Sequence, residues 1–270
     1  MTLTLKETFT QVQRRGGSYA RQHPLAARVW GELQVRRLPR VAREYAEAVR
    51  VAKRGTLAID VGANLGYYAL GLSRAVGSKG LVIALEPNPV VYRELLNVTW
   101  GSRVVALNLG ASDKPGPMSL TVPVDANGVA NALEAFVGER DLPRGGEPVH
   151  VRLVRLDEIV PANLPVSVIK IDVEGHEAQV LAGAKDVLAE YHPALVIEIE
   201  ARHLSNSASV EDVVEPLLEA GYKCQCIGRG NRLFPWSDFD LEADQLRFLT
   251  PSGNVQDKNI PLYCNNFVFT

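Results

Sequence analysis

The chain has 270 residues, of which 46% are hydrophobic and 22% are charged, and this ordinary globular composition excludes disorder of the whole chain. Three cysteines are too few for a disulfide framework, and their spacing does not indicate a zinc site. No apolar run approaches the ~20 residues that span a bilayer, and the N-terminus lacks a signal-peptide pattern, so we expect a cytoplasmic protein without a transmembrane segment.

The first 54 residues carry a positive charge that the net charge of −2 hides. They hold 12 lysines and arginines against 4 acidic residues, whereas the remainder holds 17 against 27. Turn formers at 16–17, 23–24 and 39 divide helical patterns, so we interpret residues 1–54 as a basic helical extension that serves as a substrate lid. The charge indicates either a solvated helical face or an arm that meets an anionic acceptor, carrier or membrane surface. Nucleic acid is not expected, because the acidic remainder would repel phosphates.

From residue 56 onward, short apolar strands alternate with helical segments. The predicted strands are 56–61, 81–86, 103–109, 166–172 and 193–200, and the predicted helices are 66–76, 89–99, 175–190 and 209–220. Strands this apolar are buried on both faces, and their alternation with helices predicts a doubly wound α/β domain with a mostly parallel sheet over 55–270. The segments YKCQCI and NNFVFT are consistent with a closing antiparallel pair.

Two stretches interrupt the alternation. Residues 113–150 are rich in glycine, proline and polar residues, with a strand-like MSLTVP and a short helical NALEAFVG. Residues 228–260 form an aromatic loop that carries Phe234, Trp236 and Phe239 among turn formers. Stretches of this length in a compact domain are typical of binding loops, although surface disorder would also explain parts of the first.

A glycine turn follows the first strand in the sequence TLAIDVGANLG. Gly62 and Gly66 permit positive φ angles, and Asn64 is of the residue type that, after glycine, best tolerates that conformation. The spacing is neither the dinucleotide fingerprint nor a Walker loop. Asp60 precedes the turn, where a carboxylate would repel a pyrophosphate but would suit an ammonium or sulfonium group. The turn therefore favours S-adenosylmethionine.

The second strand ends in LEPNP, which places Glu86 twenty residues after Gly66. A carboxylate at this strand end can accept both hydroxyls of an adenosine ribose. Enzymes that bind NAD use the same arrangement, so Glu86 supports an adenosyl ligand without choosing between the two cofactors.

Several motifs in order resemble the FkbM-type S-adenosylmethionine-dependent methyltransferases, most of which methylate hydroxyls of sugars, glycolipids or natural products. They are IDVGANLGYYAL, LEPNP, NLGASD, LDEI, IKIDVEGHEAQVLAGA and PALVIEIE, within about residues 56–200. The resemblance implies a seven-stranded, Rossmann-like methyltransferase sheet. It also implies a set of cofactor-binding residues: Asp60, Gly62, Ala63, Asn64 and Gly66 at the methionine end, Glu86 and Asn88 near the ribose, and Ala111 and Ser112 beside the adenine.

The motif KIDVEGHE closes the fourth predicted strand, where strand ends line the ligand crevice of an open α/β sheet. Methyl transfer to a hydroxyl needs close positioning and a group that accepts the proton. Asp172, Glu174 and His176 are the candidate catalytic residues, whereas Glu177 is better explained as a complement to the helix dipole. Metal assistance at Asp172, Glu174 and His176 is a minor alternative, and no metal is expected.

We therefore expect an S-adenosylmethionine-dependent O-methyltransferase that acts on a small-molecule or glycan acceptor. The acceptor could be anionic or linked to a carrier, and a homo-oligomer is compatible with the sequence. The alternatives are methylation of a nitrogen or carboxylate of a small molecule and a non-catalytic module that binds the cofactor.

Overall fold

The computed structural model describes residues 24–38, 42–123, 136–137, 146–204, 208–251, 255 and 262–270. Its helices are α1 (Pro24–Arg37), α2 (Arg43–Val51), α3 (Tyr67–Val76), α4 (Pro89–Thr99), α5 (Leu156–Ile159), α6 (Glu177–Ala182), α7 (Lys185–Tyr191), α8 (Val210–Glu219) and α9 (Leu241–Asp244). Its strands are β1 (Leu57–Val61), β2 (Leu81–Leu85), β3 (Val104–Leu107), β4 (Gly110–Ala111), β5 (Gly116–Pro123), β6 (Phe136–Val137), β7 (Gly146–Val154), β8 (Val166–Ile171), β9 (Ala194–Glu198), β10 (Cys224–Gly228), β11 (Arg232–Pro235) and β12 (Asn266–Phe269).

The main sheet confirms the doubly wound, mostly parallel α/β architecture. Its order is β11-β10-β12-β9-β8-β1-β2-β3, in which β9, β8, β1, β2 and β3 are parallel. The closing antiparallel pair is also confirmed, since β12 pairs with β9 and β10. The expected count of seven strands was wrong for the described sheet, which has eight. Arg229, Gly230 and Asn231 all have positive φ, and this turn folds β11 back onto β10 as an edge hairpin.

Alternate side chains of β1 pack into two different cores. Leu57, Ile59 and Val61 belong to one apolar cluster, which includes residues of α6, α7 and α8. Ala58 belongs to a second cluster on the other face, with residues of α2, α3 and β2. Helices therefore cover both faces of the sheet, as the fully buried strands require. Asp60 lies on the α2 and α3 face because it alternates with Ile59.

The reversal in strand order at β1 creates the ligand crevice. The chain passes from β1 to β2 and β3 on one side, while β8 and β9 lie on the other. At such a switch point the loops after neighbouring strands separate, and ligands bind beyond the carboxyl ends of the strands. The segments that begin at Gly62, Glu86 and Asp172 all start at this edge.

Two other expectations differ from the structure. The predicted helix 175–190 is two helices, α6 and α7, which break at Gly183; a Cβ there would lie 2.0 Å from the carbonyl oxygen of Ser112. The interrupting stretch 113–150 contains the predicted strand MSLTVP as part of β5. It also contains most of β7, which had not been predicted and which pairs with β4 and β5 in a second sheet. The predicted helical NALEAFVG lies mostly outside the described residues, and its described part, β6, is a strand.

The N-terminal helices pack on the main domain. α1 begins at Pro24, at one of the predicted breaks, and α2 inserts the fully buried Tyr45 against α3. A Cβ at Gly71 would lie 1.9 Å from the Tyr45 hydroxyl oxygen, so α3 approaches α2 closely. The role of 1–54 as a lid stays a prediction, and residues 1–23 and 39–41 lie outside the described part. Among the described helices, none has the length and apolar character needed to cross a membrane.

Candidate active site

The glycine turn after β1 has the backbone conformation that its sequence predicts. Gly62, Asn64 and Gly66 have φ angles of 75°, 49° and 82°. Contacts within the protein also require both glycines: a Cβ at Gly62 would lie 1.9 Å from the carbonyl oxygen of Asp172, and one at Gly66 would lie 2.4 Å from Leu95 Cδ1. The turn is therefore packed tightly between the end of β8 and α4.

Asp60 is a buried carboxyl group that accepts no hydrogen bond from a described residue, although the charged Lys170 is its register partner on β8. Its side chain is fully buried, and neither carboxylate oxygen has a hydrogen-bond partner among the described residues. Burial raises the pKa of Asp60 to about 6, although the charge of Lys170 opposes this shift. A buried carboxylate without a partner is costly. The site thus has an unmet need for a cationic or hydrogen-bonding group beside the turn.

Glu86 links the two loops that follow β1 and β2. Its Oε2 accepts a hydrogen bond from the backbone N–H of Asn64 at 2.9 Å, and its Oε1 accepts one from the backbone N–H of Asn88 at 2.8 Å. Burial raises the pKa of Glu86 to about 7, with these amides opposing the shift. Each oxygen retains a lone pair for a ribose hydroxyl. The Asn88 side chain caps α4 by accepting a hydrogen bond from the backbone N–H of Val90. The backbone N–H of Ala63 donates to the carbonyl oxygen of Leu85. Both residues therefore hold the loops in place.

Ser112 and His176 meet at one end of the crevice. The Ser112 hydroxyl and His176 Nε2 are 2.9 Å apart, and both Ala111 and Ser112 are buried. Burial lowers the pKa of His176, so the ring is neutral at pH 7. The ring contacts Ser112, beside the predicted adenine position. His176 is therefore better placed to shape the cofactor site than to act with Asp172.

Asp172 directly follows β8 and forms an ion pair with Lys170. Lys170 Nζ lies 2.7 Å from Asp172 Oδ2, and the lysine side chain is 5% exposed while that of Asp172 is 33% exposed. Lys170 also lies 4.7 Å from the ring centroid of Tyr68, whose hydroxyl is 3.2 Å from Glu44 Oε1 on α2. One carboxylate oxygen of Asp172 is thus held by Lys170, and the side chain remains partly exposed to solvent.

Glu174 lies in a separate polar cluster beyond β8 and β9. It has a left-handed φ of 55°, and its Oε2 lies 2.5 Å from His203 Nδ1. Glu198 and Glu200 lie nearby, and Asn265 Nδ2 donates to both of them at 2.8 and 2.9 Å. The positive φ angles of Glu174 and Gly175 turn the chain after β8. Asp172 and Glu174 therefore have different partners, Lys170 and His203.

The buried Glu198 and Glu200 carboxyl groups have pKa values that shift in opposite directions. Burial raises the pKa of Glu198 well above its usual value, and the charge of Asp172 adds to the shift. For Glu200, burial is outweighed by the hydrogen bond and charge of Arg202, which hold its pKa at about 2. Glu198 is therefore the protonated member, and the pair adds one negative charge near Glu174.

Glu177, at the start of α6, is buried rather than solvated. Its Oε1 accepts the Gly175 amide at 2.9 Å, and its Oε2 has no partner among the described residues. Burial raises the pKa of Glu177 to about 7. The carboxyl group thus caps the turn at Gly175. The favourable interaction of Glu177 with the helix dipole stays a prediction.

Sequence reasoning missed Lys170, Glu44, Tyr68 and the Glu198–Glu200 pair. A signal existed for three of them, because a lysine within VSVIKI and two glutamates in VIEIE are unusual in strands that are otherwise apolar. Glu44 and Tyr68 carried no comparable signal, since their contact joins two helices.

The metal alternative gains no support from the described part of the chain. No group of three or more histidine, cysteine or acidic side chains there is arranged to hold a metal ion. Glu174 and His176 instead contact His203 and Ser112 respectively. A cationic adenosyl cofactor fits the donor set better, because Asp60 is buried without a partner and Glu86 lies across the turn.

Comparison with known proteins identifies related sequences. Residues 60–224 match the family model described as the methyltransferase FkbM domain. The hexuronic acid methyltransferase AglP of Haloferax volcanii is 31% identical over 164 residues, which cover 60% of this chain and 61% of that protein. The 31-O-demethyl-FK506 methyltransferase FkbM of Streptomyces tacrolimicus is 28% identical over 172 residues, covering 51% of this chain and 66% of that protein. The chain therefore spans less than two thirds of these relatives.

A solved structure also aligns with the chain. The crystal structure of methyltransferase FkbM from Methylobacillus flagellatus KT has a TM-score of 0.46 and 17% identity, over 84% of this chain and 50% of that one.

Proposed function

Because the chain belongs to the FkbM methyltransferase family, we propose that it is an S-adenosylmethionine-dependent O-methyltransferase. The acceptor we propose is a hydroxyl of a sugar, glycolipid or secondary metabolite. Two relatives support this class, since one is named for hexuronic acid and the other for 31-O-demethyl-FK506.

The observation that carries the proposal is the environment of Asp60. Its carboxyl group is fully buried and has no hydrogen-bond partner among the described residues, beside a left-handed turn at the switch point. A cationic ligand would satisfy that group, whereas a pyrophosphate would be repelled by it. Glu86 lies across the turn with lone pairs available for ribose hydroxyls.

When bound, S-adenosylmethionine supplies a methyl group on a positively charged sulfur. Asp60, Gly62, Ala63, Asn64 and Gly66 would line its methionine end, where Asp60 supplies the negative charge. Asn88 and Glu86 would lie at the ribose, and Ala111 and Ser112 would lie at the adenine with His176 behind them. Closing this crevice around both substrates would exclude water and orient the acceptor, which supplies much of the rate of a displacement.

Asp172 is the group we propose to accept the acceptor proton. Bound S-adenosylmethionine would supply the methyl group, with the electron pair of its S–C bond left on sulfur, to the acceptor oxygen. Asp172 would take the hydroxyl proton and then release it to water. Glu174, paired with His203, would bind another hydroxyl of the acceptor.

Calorimetry with S-adenosylmethionine and S-adenosylhomocysteine tests cofactor binding. We expect both to bind, and Asp60→Asn to weaken the binding of S-adenosylmethionine by about tenfold or more through loss of a buried charge partner. Asp186→Asn, which changes an exposed acid on α7, is the matched control and should bind normally. Failure of the unmodified protein to bind either compound at millimolar concentration would refute the proposal.

Product analysis tests the reaction itself. Cell extracts incubated with isotopically labelled cofactor should yield an O-methylated product, identified by mass spectrometry, and Asp172→Asn should abolish its formation. Label on a nitrogen or carboxylate would identify the alternative methyltransferases. Cofactor binding without a labelled product from any extract would favour the non-catalytic module.

A further inference from the structure

Lys170 is a buried cation within an otherwise apolar strand. The residue is 4% exposed, and its neighbours Ile169 and Ile171 are fully buried. An ammonium group in such a place is stable only if it is paired. Burial alone would lower the pKa of Lys170, but the charges of Asp172 and Asp60 hold it above its usual value. Lys170 is therefore charged at neutral pH.

The sheet register places Lys170 between two aspartates, Asp60 and Asp172. Asp60 on β1 and Lys170 on β8 are direct register partners, so both side chains lie on the same face of the sheet. Asp172 follows two residues later and bonds to Lys170 through Oδ2 at 2.7 Å. The ring of Tyr68, 4.7 Å from Nζ, covers the ammonium from α3.

Asp172 carries a charge that acts on titratable groups of several elements around it. Its charge raises the pKa of six groups: Glu44 from α2, Tyr68 from α3, Asp60 from β1, Glu86 after β2, Glu177 from α6 and Glu198 from β9. A cation at hydrogen-bond distance favours the ionised form of a carboxyl group, and only that form accepts a proton. Among the described residues, Lys170 is the cation bonded to Asp172.

We propose that Lys170 is a positioning residue that keeps Asp172 ionised and leaves its second oxygen, Oδ1, available for the acceptor hydroxyl. This inference deepens the proposed methyltransferase function and rests on it for the role of Asp172. Lys170 would not touch the acceptor, because Asp172 and Tyr68 cover its ammonium.

Replacement by an uncharged side chain of similar length tests this role. In Lys170→Met the acidic limb of the kcat/KM profile should move to higher pH by about one unit or more, because Asp172 has lost its cation. Below the shifted limb, kcat/KM should fall about tenfold for each unit of the shift, because only the ionised carboxylate accepts the proton, and well above the limb much of the rate should return. Lys170→Arg keeps the charge and should restore most of the rate and the original profile. A uniform loss of kcat with an unshifted acidic limb would reduce Lys170 to a structural role and overturn the inference.

A second measurement does not depend on turnover. Carbon-13 NMR titration of labelled aspartates, with the Asp172 signal identified by its loss in Asp172→Asn, should show a higher pKa for Asp172 in Lys170→Met. Lys170→Gln retains a hydrogen-bond donor without the charge and serves if the methionine variant does not fold; the same upward shift is expected. An unshifted Asp172 signal in a folded variant would refute the inference, whereas absent cofactor binding in the unmodified protein would refute the proposed function instead.

Discussion

Carboxyl groups dominate the chemistry of the site at the level of single residues. Asp60, Glu86 and Glu177 are each nearly or fully buried, and burial raises the pKa of each into the range of about 6 to 7. Burial of a carboxylate is unfavourable unless a ligand or a cation compensates it. Asp172 has such a cation in Lys170 and Glu86 accepts two backbone amides, whereas Glu177 keeps one oxygen without a partner among the described residues.

Glu177→Gln should stabilise the protein at alkaline pH more than at acidic pH. The pKa of about 7 in the folded protein exceeds the usual glutamate value of 4.5, so the stability falls as the pH rises through this window, and the full penalty persists above it. Glutamine removes that penalty and keeps an acceptor for the Gly175 amide. Urea unfolding should show a gain of about 1 to 3 kcal/mol near pH 8 and little gain near pH 4. Exposed Glu219→Gln is the control, and an equal gain at both pH values would contradict this account.

At the level of elements, α2 connects the basic extension to the site. Its first turn carries Glu44, which accepts a hydrogen bond from the Tyr68 hydroxyl. The ring of Tyr68 lies against the Lys170 ammonium. Tyr45 anchors α2 against α3. Arg36 and Arg37 are exposed at the end of α1, a few residues before α2 begins. Arg43 instead pairs with the buried Glu47. The extension therefore ends close to the crevice, which favours a role in acceptor binding.

Neutralising the basic extension should weaken acceptor binding and spare the cofactor. We expect Arg36→Gln, Arg37→Gln, Arg40→Gln and Arg43→Gln together to raise the acceptor KM about tenfold, because exposed charges act on a ligand through the local field. The cofactor affinity, measured by calorimetry, should stay nearly unchanged. Lys223→Gln with Arg232→Gln, on the distant β10–β11 hairpin, is the control. An unchanged acceptor KM would support the alternative interpretation, in which the basic residues form only a solvated helical face.

At the level of the whole molecule, Gln245 fastens the C-terminal segments to the central sheet. Its Nε2 donates to the carbonyls of Ile199 and Cys264, and its Oε1 accepts the Ala201 amide. Gln245 is fully buried. One side chain thus joins the chain after β9 to the chain before β12, next to the cluster that contains Glu200 and Asn265.

Gln245→Leu should destabilise the whole fold by about 3 to 5 kcal/mol, because two buried carbonyl groups and one partly buried amide would lose their partner. Urea unfolding with a single cooperative transition would measure this loss. Gln225→Leu, an exposed change on β10, should cost less than about 0.5 kcal/mol. A loss at Gln245 no larger than that of the control would show that water or relaxation replaces these bonds.

The parts of the molecule that could be predicted from the sequence are those whose structure depends on residues close together in the chain. Apolar runs predicted the parallel strands, and glycine and asparagine at 62, 64 and 66 predicted the left-handed turn. Asp60 and Lys170 are aligned by the register between β1 and β8, which lie over 100 residues apart in the sequence. Local sequence patterns do not specify such a register. The β5–β7 sheet was missed for a related reason, because its long pairing follows from tertiary contact within a segment rich in turn formers.

Glu86 determines the shape of the cofactor crevice before any ligand enters. By holding the Asn64 and Asn88 amides together, it joins the loops after β1 and β2 into one unit. A preorganised loop gives up little conformational freedom on association, so more of the contact energy remains available as affinity. For the proposed cofactor, the same rigidity would narrow the range of ligands that the loop accommodates, so Glu86 would contribute to selectivity as well as to binding strength.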